Sequence, residues 1–126
     1  MEKQIRVLVA NHPRLMREMI LTTFADQPDI EIVGEVTDEA DIPDSVDRTL
    51  PDFLVISQDK LGSRPDVCDV VLHHHPELKI IAVAPYQNYS VHYWGSFDIH
   101  SREVEASEEG ILEVLRSKSK SIGSQA

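Results

Sequence analysis

Ser57 and His12 are the first residues to weigh, because a hydroxyl beside an imidazole is the minimal pairing of nucleophile and general base. Ser57 ends one apolar run and His12 follows another, so adjacent strands could bring them together. The remaining parts of a hydrolase are missing. No glycine-rich nucleophile turn surrounds Ser57, no oxyanion hole can be read, and no acid is obviously placed to orient the imidazole. A small Ser/His hydrolase is therefore a minor alternative, and no catalytic residue or enzyme activity is assigned. His73, His74 and His75 form the other obvious group. Helical neighbours point about 100° apart, so this run presents no single metal-binding face. It reads as a solvated helix end, where cationic or polar groups complement the dipole. Cys68, the single cysteine, cannot form an internal disulfide and reads as a small core residue. No metal and no cofactor is expected.

The elements that must position these residues show as alternating apolar runs and amphipathic stretches. Ile5 to Ala10, Phe53 to Ser57 and Lys79 to Ala84 read as strands buried on both faces, where runs of Val, Ile and Leu are nearly continuous, and Ile30 to Val36 reads as a further strand. Gly95 to Ile99 reads as a fifth. Pro13 opens a helix with Leu15, Met19, Ile20 and Phe24 as its inward stripe, ending before Pro28. A short, weakly helical stretch carries Val46 and Leu50. Pro65 starts a helix with Val67, Val70, Val71 and His74 on one face, ending before Pro76. Ser107 can cap a last helix with Ile111, Leu112 and Leu115 inward and Arg116 and Lys118 in its last turn. Residues 1–118 thus make one domain, and 119–126 read as a flexible polar tail or linker. Strand and helix alternating in this way predict an α/β, doubly wound sheet, whose sites lie at the carboxyl ends of the strands.

Length and charge narrow the function. A chain of 126 residues can build one core and fold without disulfides. No apolar run approaches the length of a membrane span and no leader is visible, so a cytoplasmic protein without a membrane partner is expected. The net charge is −10, which repels nucleic-acid backbones and argues against direct nucleic-acid binding. Ten acids lie between Asp26 and Asp52 with only Arg48 among them to offset the charge. They make a solvated face or a docking surface for a basic partner.

The opening Ile5-Arg6-Val7-Leu8-Val9-Ala10, then Leu15 with Arg17-Glu18, then Pro28-Asp29-Ile30-Glu31-Ile32-Val33-Gly34-Glu35, resembles a bacterial response-regulator receiver domain. Pro51-Asp52-Phe53-Leu54-Val55-Ile56 and His75-Pro76-Glu77-Leu78-Lys79-Ile80-Ile81 resemble the family's approaches to its third and fourth strands. The likeness runs from residue 5 to about 118. It implies a flavodoxin-like fold with five parallel strands in the order 2-1-3-4-5, and a place in two-component, phosphorelay signal transduction.

The resemblance also implies a chemistry, and every residue that would perform it is changed. Two adjacent acids that help hold magnesium are matched by Asn11 and His12, and the aspartate that accepts the phosphoryl group by Ser57. A threonine or serine ending the fourth strand is matched by Ala84, and a phosphate-pairing lysine after the fifth by His100. Phosphoryl transfer rests on positioning, charge neutralisation and a suitable nucleophile, so a degenerate pocket with no magnesium affinity and no aspartyl phosphate is expected. A slip of register would offer Asp59 as acceptor instead.

Pro85 to Gly95 is shorter than the family's corresponding segment, which predicts a shortened or absent fourth helix. Tyr86, Tyr89, Tyr93, Trp94 and Phe97 place five of the chain's seven aromatics in this region. They read either as cover for the core or as an interface. The expectation is a pseudo-receiver: a phosphorylation-independent protein-interaction module in bacterial signalling or transcriptional control, forming a homodimer through residues 86–97 and the last helix. The alternative is a receiver that still switches, through an unusual ligand in the remodelled pocket or modification of Ser57.

Overall fold

The computed structural model describes residues 4–59, 62–84, 89–95, 99–105 and 107–124, with the backbone alone described at 89, 99, 100, 105 and 117–124. Strands β1 (Ile5–Val9), β2 (Ile30–Glu35), β3 (Phe53–Ser57) and β4 (Lys79–Val83) form where the apolar runs place them. They are parallel and lie in the order β2-β1-β3-β4. All five residues of β3 are buried, as a central strand covered on both faces requires. Between them run α1 (Arg14–Ala25), a 3-10 turn (Glu39–Asp41) leading into α2 (Ile42–Thr49), and α3 (Asp66–His74).

Side chains alternate along each strand, so the sheet feeds two separate cores. Leu8, Leu54, Ile56, Ile80 and Ala82 pack with Ile42 and Val46 of α2 and with Val67, Val71 and Leu72 of α3. On the other face, Val7, Val9, Phe53, Val55, Ile81 and Val83 pack with Ile20 and Phe24 of α1 and with the last helix, α4 (Glu108–Ser124). Each such apolar side chain contributes about 1.5–3 kcal/mol on burial. Gly34 is required by close approach: β2 shifts register between Val7 and Leu8, and a Cβ at Gly34 would come 2.9 Å from Leu8 Cδ1.

The sheet has six strands, not five, and is mixed. Its order continues into β5 (Tyr89–Gly95) and β6 (Ile99–Glu105), which flank the Gly95 to Ile99 segment expected to be a single parallel strand. Gly95 ends β5, Ile99 starts β6, and the two residues pair with each other. Five residues, 84–88, separate β4 from β5, enough to reverse direction but not for the crossover that parallel pairing needs. β5 therefore runs antiparallel to β4, and β6 antiparallel to β5. Residues 89–95, expected near a truncated fourth helix, are strand; Val91 and Tyr93 face the α3 side, which suits residues with strand preference.

Smaller differences have clear causes. Leu15 and Met19 were expected inward on α1 but are 69% and 57% exposed, because Ile20 and Phe24 centre the buried stripe and Leu15 lies about 140° from Ile20. Leu50 is exposed rather than packed, since it ends α2 in the left-handed conformation at φ 49°. The Ser107 cap is present, its Oγ accepting from the Gly110 amide at 3.0 Å. α4 continues helical to Ser124, through residues read as tail, so Arg116 is not in its last turn; it holds Asp29 and Gln27 at the foot of β2 instead.

Candidate functional site

The carboxyl ends of β1 and β3 frame a cleft of about 40 Å³. The sheet is extended there by hydrogen bonds from the Ala10 amide to the Val55 carbonyl and from the Val36 amide to the Val9 carbonyl, both 2.8 Å. Those bonds hold the loop after each strand in line with the strand itself. Asn11, His12, Thr37, Glu39, Ser57 and Asp59 supply the polar wall.

Ser57 ends β3 with its side chain turned to the loop after β1. Its hydroxyl donates to the His12 carbonyl at 2.6 Å and accepts from the His12 amide at 2.9 Å. The His12 ring points elsewhere: Nε2 lies 2.9 and 3.0 Å from the two carboxylate oxygens of Asp59. The expected nucleophile and base are thus neighbours whose reactive groups do not meet. The Ser57 proton is used by a backbone carbonyl, and the imidazole is engaged by a carboxylate on the loop after β3.

Asn11 is only 1% exposed, and its Nδ2 donates to the Ile56 carbonyl at 2.8 Å. Its Oδ1 is buried with no hydrogen-bond partner among the described residues. Behind it, Arg17 reaches from α1 to the Asn11 carbonyl at 3.3 Å and to Glu35 at 2.9 Å, tying the loop to β2. The magnesium ion that the receiver resemblance implies does not fit this set. At positions 11, 12 and 57 stand an amide, an imidazole and a hydroxyl, none of which brings the carboxylate charge that holds magnesium. Among the described residues, no three His, Cys, Asp or Glu side chains come together to hold a metal.

The structure separates the other expected pocket residues. Ala84 is buried beyond the end of β4 and is not in the cleft wall. His100 falls at the opposite edge of the sheet: it is the second residue of β6 and pairs with Trp94, which pairs with Lys79 at the start of β4. Reversal of chain direction at the hairpin moved it there. Gln58 takes a place the sequence did not suggest. It is buried, with Nε2 donating to the Ser63 carbonyl at 2.8 Å and Oε1 accepting from the Tyr93 hydroxyl at 3.1 Å. Thr37 and Glu39 were likewise missed, and the only signal for them was the acidic run after β2.

Of the aromatic candidates, Tyr93 is 5% exposed and belongs to the core on the α3 side, which removes it from any interface. Trp94 is half-buried with its ring 5.1 Å from that of His92. Tyr86 and Phe97 lie outside the described residues, as does the Tyr89 side chain. His92 itself is buried with no hydrogen-bond partner at either ring nitrogen among the described residues, and burial, with Arg102 and Lys79 adding to it, lowers its pKa to about 4. The Cys68 thiol is buried and pushed up to about 12, mainly by desolvation, as an inert core residue would be. In the histidine run, His75 is not simply solvated: its Nε2 meets Asp47 of α2 at 2.7 Å, and His74 Nδ1 lies 3.1 Å from the Val70 carbonyl.

No family model matches the sequence, and no curated protein does either. Among solved structures, the signal receiver domain of NarL from Mycobacterium tuberculosis is similar, with a TM-score of 0.58 and 20% identity over 68% of this chain and 69% of that one. The chain has a receiver-like fold. That likeness bears on architecture alone. Among the described residues, no helix is long and apolar enough to cross a membrane.

Proposed function

We propose that this receiver-like domain is a protein-interaction module of signal transduction that works without aspartyl phosphorylation. The observation that carries the reading is the Ser57 hydroxyl, spent in both directions on the His12 backbone at the position matched to the phosphoacceptor. A phosphoryl group there would take the proton that the hydroxyl gives to the His12 carbonyl. It would also lack a cation to neutralise its charge, since positions 11 and 12 carry no carboxylate for magnesium. Modification of Ser57, the alternative switch, meets the same obstacle, because the residue is buried as well as bonded. Homodimerisation remains part of the proposal, with Trp94 and α4 as its surface now that Tyr93 is assigned to the core.

The test is mass spectrometry of the protein incubated with acetyl phosphate and magnesium. An unchanged mass is expected. A stable phosphoryl adduct on any aspartate, Asp59 included, would overturn the reading.

A further inference from the structure

Extension of the sheet by an antiparallel hairpin leaves it with two unlike edges. β2 forms one, and it is blunted: its ladder with β1 shifts register between Val7 and Leu8, and its acids are tethered, Glu31 by Arg6 and Glu35 by Arg17. Irregular pairing of this kind is one way natural sheets keep an edge from joining another chain. β6 forms the other edge. Its seven residues pair with β5 in one uninterrupted register and include no proline, and among the described residues no strand lies on its outer side. An antiparallel strand turns the N–H and C=O groups of alternate residues away from its neighbour, so β6 carries a row of backbone donors and acceptors along its outer side. Ser101, Arg102 and Glu103, at its middle, are exposed.

Charge decides what can pair there. Ser101 and Glu103 lie opposite Tyr93 and Val91, which belong to the core on the α3 side, whereas Val104 packs against the core under α4. Arg102 and Glu103 therefore sit on opposite faces of the strand, and neither makes a hydrogen bond or ion pair among the described residues. Positions 100, 102 and 104 carry no acid, and positions 99, 101, 103 and 105 carry no base. A second copy of the chain added by two-fold symmetry would run antiparallel, with residues of the same face directly opposite one another. No register then sets an acid of one copy against a base of the other, and full overlap sets Arg102 against itself. The edge disfavours its own copy and fits a strand with the opposite order of charges.

We propose that the outer edge of β6 receives an extended segment of a partner protein as a seventh, antiparallel strand, with an acidic residue opposite Arg102 and a basic residue opposite Glu103. Backbone hydrogen bonds give such an addition its affinity, and the side chains on its two faces give it selectivity. The proposal rests on the reading of this domain as a protein-interaction module and gives that role a surface and a class of partner.

The experiment is an NMR titration of the full chain with two end-capped peptides of the same composition, KVKETVT and KVEKTVT. Laid antiparallel on β6, the first sets a lysine against Glu103 and its glutamate against Arg102, whereas the second cannot satisfy both at once. The first peptide should shift the backbone amides from Ser101 to Val104 saturably, leave those of β2 unmoved, and bind about two- to fivefold more tightly than the second. The double variant Arg102→Glu, Glu103→Arg, changed only at exposed positions, should reverse that preference. Equal affinities, shifts at β2 in place of β6, or an unchanged preference in the double variant would each overturn the proposal. Concentration-dependent shifts of the β6 amides without peptide would give the edge to a second copy and overturn it as well. A phosphoryl adduct on an aspartate would overturn the underlying reading instead, whatever the peptides do.

Discussion

The Ser57 hydroxyl and the His12 backbone form a closed pair, one bond given at 2.6 Å and one received at 2.9 Å, so the end of β3 clamps the loop that follows β1. Ser57→Ala would leave the His12 amide and carbonyl without this partner in a part-buried setting. We expect a loss of about 1–3 kcal/mol in urea unfolding. The background rate on activated esters should not change. A stability difference within error, or a fall in esterase rate, would contradict the structural role.

The His92 ring, buried beside Phe53 and Trp94, makes stability depend on pH. Its folded pKa, about 4, lies below the ordinary histidine value of 6.5, so the unfolded chain binds the extra proton first as pH falls. The stabilising effect of the neutral ring is complete above pH 6.5 and is lost progressively down to about pH 4, amounting to about 2–4 kcal/mol. Urea midpoints across that window should fall with pH in the wild type. The component due to His92 should vanish in His92→Leu, and parallel curves for the two proteins would refute the assignment.

Leu50 holds a left-handed conformation with an exposed side chain, a combination that glycine tolerates better. The Arg6 guanidinium accompanies it by donating to the Leu50 carbonyl at 2.8 Å, a contact glycine would keep. Leu50→Gly should raise Tm by about 2–4 °C once the entropy gained by the unfolded chain is subtracted. Calorimetry showing a lower Tm would mean the side chain matters more than its exposure indicates.

Tyr93 and Trp94 should behave differently although adjacent. Removing the Tyr93 hydroxyl takes a buried bond from Gln58, so Tyr93→Phe should cost about 1 kcal/mol and leave sedimentation unchanged. Trp94→Ala should reduce self-association if this face joins two copies. Unaltered sedimentation in Trp94→Ala would confine the aromatic cluster to core cover.

Much of the scaffold was legible because its signals are local. Apolar stretches mark β1, β3 and β4, Ile30, Ile32 and Val33 mark β2, and Ser107 followed by Glu108 and Glu109 announces α4. Asn11, His12 and Ser57 could be placed at one sheet end, since strand order and strand length decide that together. The hairpin of β5 and β6 was not legible: Gly95 looks like the start of a strand when read alone, and only pairing with β4 makes it an end. The direction of that pairing then carried His100 away from the cleft.

The sequence by itself determined which segments would be buried and that no carboxylate would stand at 11, 12 or 57, because composition and periodicity are properties of each stretch alone. Only the tertiary structure decided what those groups touch. Whether the His12 ring turns to Ser57 or to Asp59, and whether Asn11 Oδ1 finds a donor, depends on distances of a few ångströms between residues more than forty positions apart. Hydrogen bonds are short-ranged and directional, so no pattern along the chain encodes their partners.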